Sequence, residues 1–108
     1  MGFDQVTIVG AGLIGGSLAL ALKKHGLARR IVGCDRPEVL ERARGLGAID
    51  AGSPDPAQAS SGSEVVVLAT PVGAILDFTD RVAPHLPSNV LVTDVGSTKQ
   101  EEIGRAHV

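Results

Sequence analysis

A doubly wound, parallel α/β sheet with strand order 3-2-1-4-5 is the fold class this sequence predicts. Three observations carry it. Short β-branched runs alternate with segments of helical periodicity, at the spacing of right-handed βαβ units. Val65-Val66-Val67-Leu68 is a continuous apolar run, as a parallel strand covered on both faces requires. A Gly-x-Gly-x-x-Gly turn, Gly10-Ala11-Gly12-Leu13-Ile14-Gly15, falls directly between the first strand and the first helix.

The elements follow in order. Gln5–Val9 reads as a strand. Leu13–His25 reads as a helix with Ile14, Leu18, Ala21 and Leu22 on its inner face, and Gly26 as the residue that ends it. Arg30–Gly33 is a second strand. Pro37 suits the first turn of a helix whose inner face is Val39, Ala43 and Leu46. Ala48–Ala51 reads as a short edge strand. The Ser-, Pro-, Ala- and Gly-rich stretch Gly52–Gly62 reads as a loop with one helical turn. Glu64–Ala69 is the buried strand. Thr70-Pro71 then has the form of an N-cap and an N1 proline, opening a helix that buries Ile75, Thr79, Val82 and Leu86 and is closed by Pro84 and Pro87. Asn89–Thr93 is a further strand, and a last helix starts near Ser97. A sixth strand, usual in such sheets, is expected to be lacking.

At 108 residues the chain makes one domain, residues 1–108, against a usual ~150 per domain. Apolar residues are 44% and charged residues 20%, a globular balance. Ten Lys and Arg against 12 Asp and Glu give a net charge of −2 and a pI near 5.8, and the only aromatics are Phe3 and Phe78. No nucleic-acid partner is expected from that charge or that lack of stacking groups. No apolar run approaches the ~20 residues needed to span a membrane, and the N-terminus has no signal-like pattern, so a cytoplasmic location is the default. Cys34 is the single cysteine; it forms no internal disulfide and reads as a small buried hydrophobe. His25, His85 and His107 all read as surface residues. No metal site is expected.

The glycine turn carries the chemistry. In this context Gly10 allows the tight turn, Gly12 lets backbone approach a pyrophosphate, and Gly15 lets the helix pack close to the sheet. The helix start, with Ala11, Leu13 and Ile14 between the glycines, presents N–H groups to the anion. Asp35 lies 20 residues beyond Gly15, at the end of the second strand, where a carboxylate accepts hydrogen bonds from the adenosine ribose hydroxyls. It would repel the 2′-phosphate of NADP, so NAD is the expected cofactor, with NADP less favoured; the adjacent Arg36 works the other way, as a phosphate partner. Thr70-Pro71 and Val95–Lys99 follow the carboxyl ends of strands beside the first one, the edge at which open α/β sheets bind ligands. Ser97-Thr98-Lys99-Gln100-Glu101 holds two overlapping capping boxes, so one hydroxyl caps the helix and the other is spare.

Val6–Leu20, VTIVGAGLIGGSLAL, resembles the opening of prephenate dehydrogenases. The resemblance continues through Gly33-Cys34-Asp35, Ala48-Ile49-Asp50, Ala69-Thr70-Pro71-Val72 and Asp94-Val95-Gly96-Ser97-Thr98-Lys99, and so covers essentially the whole chain. It implies a Rossmann-like domain of an enzyme that oxidatively decarboxylates prephenate or arogenate on the route to tyrosine. It also implies a C-terminal helical domain for substrate and dimer formation, and a catalytic His in a Gly-His-Pro type motif; neither is in these 108 residues, so the chain alone is expected to be inactive. By the same resemblance Ser97 stands near the substrate and that His. Another two-domain dehydrogenase of the 3-hydroxyacid or 6-phosphogluconate kind, or a non-catalytic nucleotide-binding module, would share the glycine turn. Asp94–Lys99 and Gly-Gly-Ser-Leu-Ala after the turn count against the former.

Overall fold

The computed structural model describes residues 2–70, 72–87 and 89–94. Its five strands are β1 (Phe3–Val9), β2 (Ala28–Cys34), β3 (Ala51–Ser53), β4 (Val65–Leu68) and β5 (Leu91–Asp94). All pair in parallel, in the order β3-β2-β1-β4-β5. The helices are α1 (Leu13–Lys24), α2 (Pro37–Gly45), α3 (Pro56–Ser60) and α4 (Val72–Arg81), with a short 3₁₀ turn at Ala83–His85. The expected fold class and strand order are those observed. The expected last helix lies outside the described residues.

Period-two alternation divides each strand between the two faces of the sheet. Val6 and Ile8 of β1, Ile31 of β2 and Val65 and Val67 of β4 share one core with Ala19 of α1 and Leu40 and Ala43 of α2. On the opposite face Val66 and Leu68 meet Phe78 of α4 and Val82, while Val32 and Cys34 meet Ala59 of α3.

Three inner faces differ from the sequence reading. On α1 the buried residues are Gly15 and Ala19, with Leu18 and Leu22 half-buried, whereas Ile14 and Ala21 face solvent. The helix is turned so that Gly15 lies against the backbone of Gly10, the closest approach it makes. On α2 Leu40 takes the place expected of Leu46, which is 67% exposed. Leu40 sits over Gly33 and Gly52, neighbours across the β2–β3 ladder, and a Cβ on either would press on it at 3.0–3.2 Å. On α4 Phe78 is buried and Thr79 is exposed, donating its hydroxyl to the Ile75 carbonyl at 2.9 Å.

The edge strand also lies later than expected. Ala48 and Ile49 are buried in the connection, and Asp50 makes the first link to β2. Its N–H donates to the Ile31 carbonyl and its carboxylate accepts from the Ile31 N–H, both at 2.8 Å. The same carboxylate pairs with Lys23 of α1 at 2.8 Å. Burial alone would raise the Asp50 carboxyl, but Lys23, the Ile31 N–H and the Arg30 charge outweigh it and hold the group below its ordinary value. The single helical turn expected in residues 52–62 is α3, with Asp55 as its cap and Pro56 at its start.

A buried polar chain fastens α3 beneath β1. Thr7 donates to the Ala59 carbonyl at 2.6 Å and lies 2.5 Å from the Ser63 hydroxyl, while Gln5 Nε2 donates to that hydroxyl at 2.9 Å. Since Thr7 has given its proton to Ala59, Ser63 is the donor to Thr7.

Candidate functional site

Strand order reverses between β1 and β4, and the turn after β1 sits at that point. Its first residue, Gly10, has φ +96°, a conformation open to glycine. A Cβ there would stand 2.6 Å from both the Ala69 carbonyl oxygen and Thr70 Cγ2, so the turn lies directly against the end of β4. A Cβ on Gly15 would collide with the Gly10 carbonyl oxygen, whereas one on Gly12 would meet nothing within 4 Å. The middle glycine therefore answers to no contact among the described residues. What it leaves free is a path to bare backbone.

The crest of the sheet is stitched together. Gly10 N–H donates to the Cys34 carbonyl and Ala69 N–H to the Val9 carbonyl, both at 2.8 Å. Ala11 N–H donates to Asp35 Oδ2 at 2.9 Å, and Arg36 N–H donates to Asp35 Oδ1 at 2.7 Å. No side chain caps α1 at Gly12, so the first-turn N–H groups, which have no partner within a helix, are presented at the same edge. The side chains of Leu13 and Ile14 are 90% and 59% exposed, so what these residues bring to the turn is their backbone.

Thr70 does not cap α4 as its position suggested. Its methyl carbon lies against the turn, and its buried hydroxyl has no hydrogen-bond partner among the described residues; the next residue, Pro71, has no N–H to offer it. Arg36 is the cap position of α2, extended at φ −64° and ψ 151°, and its guanidinium lies 3.7 Å from the Glu38 carboxylate. Cys34, beneath Asp35, is 4% exposed; burial first, then the charges of Asp35 and Asp55, push its thiol up to about 11. It is the inert core residue expected. His25 and His85 are exposed, also as expected.

The residues present suit a dinucleotide. They supply a gap at Gly12, a positive helix start, a carboxylate at the end of β2 and an unpaired hydroxyl at Thr70.

Residues 18–107 match the family model for the prephenate dehydrogenase nucleotide-binding domain. The chain belongs to this family. Among curated relatives it is 38% identical over 105 residues to the prephenate dehydrogenase of Bacillus subtilis, covering 95% of this chain and 28% of that one. It is 35% identical over 98 residues to the cyclohexadienyl dehydrogenase of Zymomonas mobilis, covering 90% and 33%. The chain thus spans about a third of the length of such relatives. Among solved structures it resembles prephenate dehydrogenase from Aquifex aeolicus in complex with hydroxyphenyl propionate and NAD+, at a TM-score of 0.83 and 30% identity, covering 98% of this chain and 40% of that one. It resembles Synechocystis arogenate dehydrogenase at a TM-score of 0.78 and 32% identity, covering 90% and 34%.

In this prephenate dehydrogenase nucleotide-binding domain, the fold brings Gly10, Ala11, Gly12, Gly15, Asp35 and Thr70 to one crest. Pro71, Ser97, Lys99 and His107 lie outside the described residues. Two features were not read from the sequence. The Asp35–Ala11 bond depends on the β1–β2 register, and the isolation of the Thr70 hydroxyl depends on its burial at the end of β4. Among the described residues no group of His, Cys, Asp and Glu is placed to hold a metal, and no helix is long and apolar enough to cross a membrane.

Proposed function

We propose that the chain is the NAD-binding domain of a dehydrogenase acting on prephenate or arogenate. The full protein would convert prephenate to 4-hydroxyphenylpyruvate in the cytoplasm, and its remaining part would hold the substrate and form the dimer. The open backbone at Gly12, where a Cβ would meet none of the described residues, carries this function for a member of the family.

The residues divide the work. Gly10, Ala11, Gly12, Leu13, Ile14 and Gly15 form the cradle, and the N–H groups at the start of α1 hold the pyrophosphate. Asp35 accepts from the adenosine ribose hydroxyls, with Arg36 beside it. Thr70, whose hydroxyl lacks a partner among the described residues, is assigned to the cofactor as well, and so is Pro71 from its place in the sequence. Ser97 supports substrate and the catalytic His of the rest of the enzyme. When bound, NAD supplies a hydride acceptor.

Calorimetry with NAD on this chain is the test of the binding half, and a reduction assay with prephenate tests the rest. NAD binding without turnover is the expected result. Turnover by these 108 residues alone would mean that the catalytic groups have been misplaced, and no NAD binding would remove the cofactor assignment.

A further inference from the structure

The end of β2 carries three charges in four residues: Asp35, Arg36 and Glu38. Asp35 is committed to the backbone, with one oxygen on Ala11 N–H and the other on Arg36 N–H. The Arg36 guanidinium faces Glu38, with Nε 3.7 Å from Oε2. Both side chains of that pair are well exposed, at 76% and 65%, so neither is fixed there by packing. Glu38 also lies in the first turn of α2, where a carboxylate is favoured by the helix dipole. The one cation of this cluster is therefore flanked by two carboxylates, and the cluster is net negative.

We propose that Glu38 is a second cofactor-specificity residue, which engages Arg36 and so keeps it from serving a 2′-phosphate. This rests on the dinucleotide function above. A bare ribose hydroxyl is neutral and loses little from a second carboxylate nearby. A 2′-phosphate, at about −1.5 to −2, meets the Glu38 charge and has to compete with it for the guanidinium. Asp35 then sets the first level of discrimination through the ribose, and Glu38 the second through Arg36.

The test compares NADP and NAD, which differ by the 2′-phosphate alone, on the unmodified chain and on Glu38→Gln. The glutamine keeps the size of the side chain and removes its charge. The NADP-to-NAD affinity ratio should rise about two- to fivefold, the range an exposed charge pair contributes, and the rise should shrink at high salt. Glu41→Gln makes the same change of net charge one turn further along α2, at an exposed position, and should leave the ratio alone. Arg36→Ala placed in the Glu38→Gln chain should abolish the gain. An unchanged ratio in Glu38→Gln, an equal rise in Glu41→Gln, or a gain that survives loss of Arg36 would each overturn the role of Glu38 while leaving NAD binding in place. If neither dinucleotide binds the unmodified chain, the cofactor assignment fails first and Glu38 falls with it.

Discussion

Ala11 donates its backbone N–H to the Asp35 carboxylate at 2.9 Å, although 24 residues separate them. This bond fixes the turn after β1 to the end of β2. The residue expected to meet the adenosine ribose is thereby also a part of the cradle for the pyrophosphate. Changing Asp35 disturbs both ends of a dinucleotide, and the two effects have to be separated by choice of substitution.

Asp35→Asn keeps an oxygen for the Ala11 N–H and removes the charge. The unmodified domain should prefer NAD to NADP by about 30- to 150-fold, or ~2–3 kcal/mol. Asp35→Asn should narrow that gap chiefly by improving NADP. Asp35→Ala should instead cost about 1–3 kcal/mol of stability, because Ala11, 5% exposed, is left with an unpaired N–H. Dissociation constants and urea midpoints for both variants check these outcomes. Equal NAD and NADP affinity in the unmodified domain would mean that Arg36 governs the pocket.

Gly12 and Gly15 should respond in opposite ways to the same methyl group. Gly15→Ala drives a Cβ into the Gly10 carbonyl oxygen, and should destabilise the domain by about 1–3 kcal/mol or more. Gly12→Ala places its Cβ in open space, and should change stability by less than ~1 kcal/mol while weakening dinucleotide binding about tenfold. Thermal melts with and without NAD distinguish the two. A Gly12→Ala chain that binds NAD normally would show that no ligand passes over that glycine.

Cys34 should be nearly unreactive in the folded chain. With its thiol pushed up to about 11, thiolate at pH 8 is scarcer than for an ordinary cysteine by about two orders of magnitude. A timed alkylation at pH 8, native against denatured, measures this. The raised value also sets a sign: the contribution to stability is complete below the unfolded value of about 8.5 and is lost as pH rises towards about 11. Fast native labelling would mean that the end of β2 opens readily.

Asp50 should make the domain sensitive to acid. Its folded carboxyl lies below the ordinary value, so its contribution is present above about 3.9 and is lost as pH falls through the folded value. Asp50→Ala should cost about 1–3 kcal/mol at neutral pH, since it strips the acceptor from the buried Ile31 N–H. Asp50→Asn, which retains an oxygen, should cost less and flatten the acid limb of a stability profile. An unchanged limb in Asp50→Asn would assign acid sensitivity elsewhere.

Order and direction of the strands were legible because β-branched runs and the glycine turn are local signals, and βαβ handedness leaves few arrangements. The same locality explains the errors. Leu40 and Leu46 are both plausible inner residues of α2 by periodicity, and only the pairing of Gly33 with Gly52 across two strands creates the hollow that selects Leu40. Phe78 and Thr79 are one residue apart, so either completes a stripe from Ile75; size and polarity favour Phe78 once Val66 and Leu68 are opposite. Ala48 and Ile49 are apolar as strand residues are, yet they fill the core from a connection, and the ladder begins where Asp50 reaches Ile31. At the site, the glycine turn and the position of Asp35 were readable as a motif. The bond between Asp35 and Ala11 was not, since it is a property of register.

The seating of Leu40 over Gly33 and Gly52 has a consequence for the way the edge of the molecule opens. β3 is three residues long with a glycine at its centre, so its ladder is short and its middle residue has no side chain to pack. One face of the strand is covered by Leu40 of α2, whose buried residues are Leu40 and Ala43, while Ala51 packs against Val32, Cys34 and Ala59 and Ser53 donates to Gln58 of α3 at 2.9 Å. Loss of the α2 cover should therefore expose β3 as well, and the amide hydrogens of this short edge strand should exchange with solvent faster than those of the central β1 and β4.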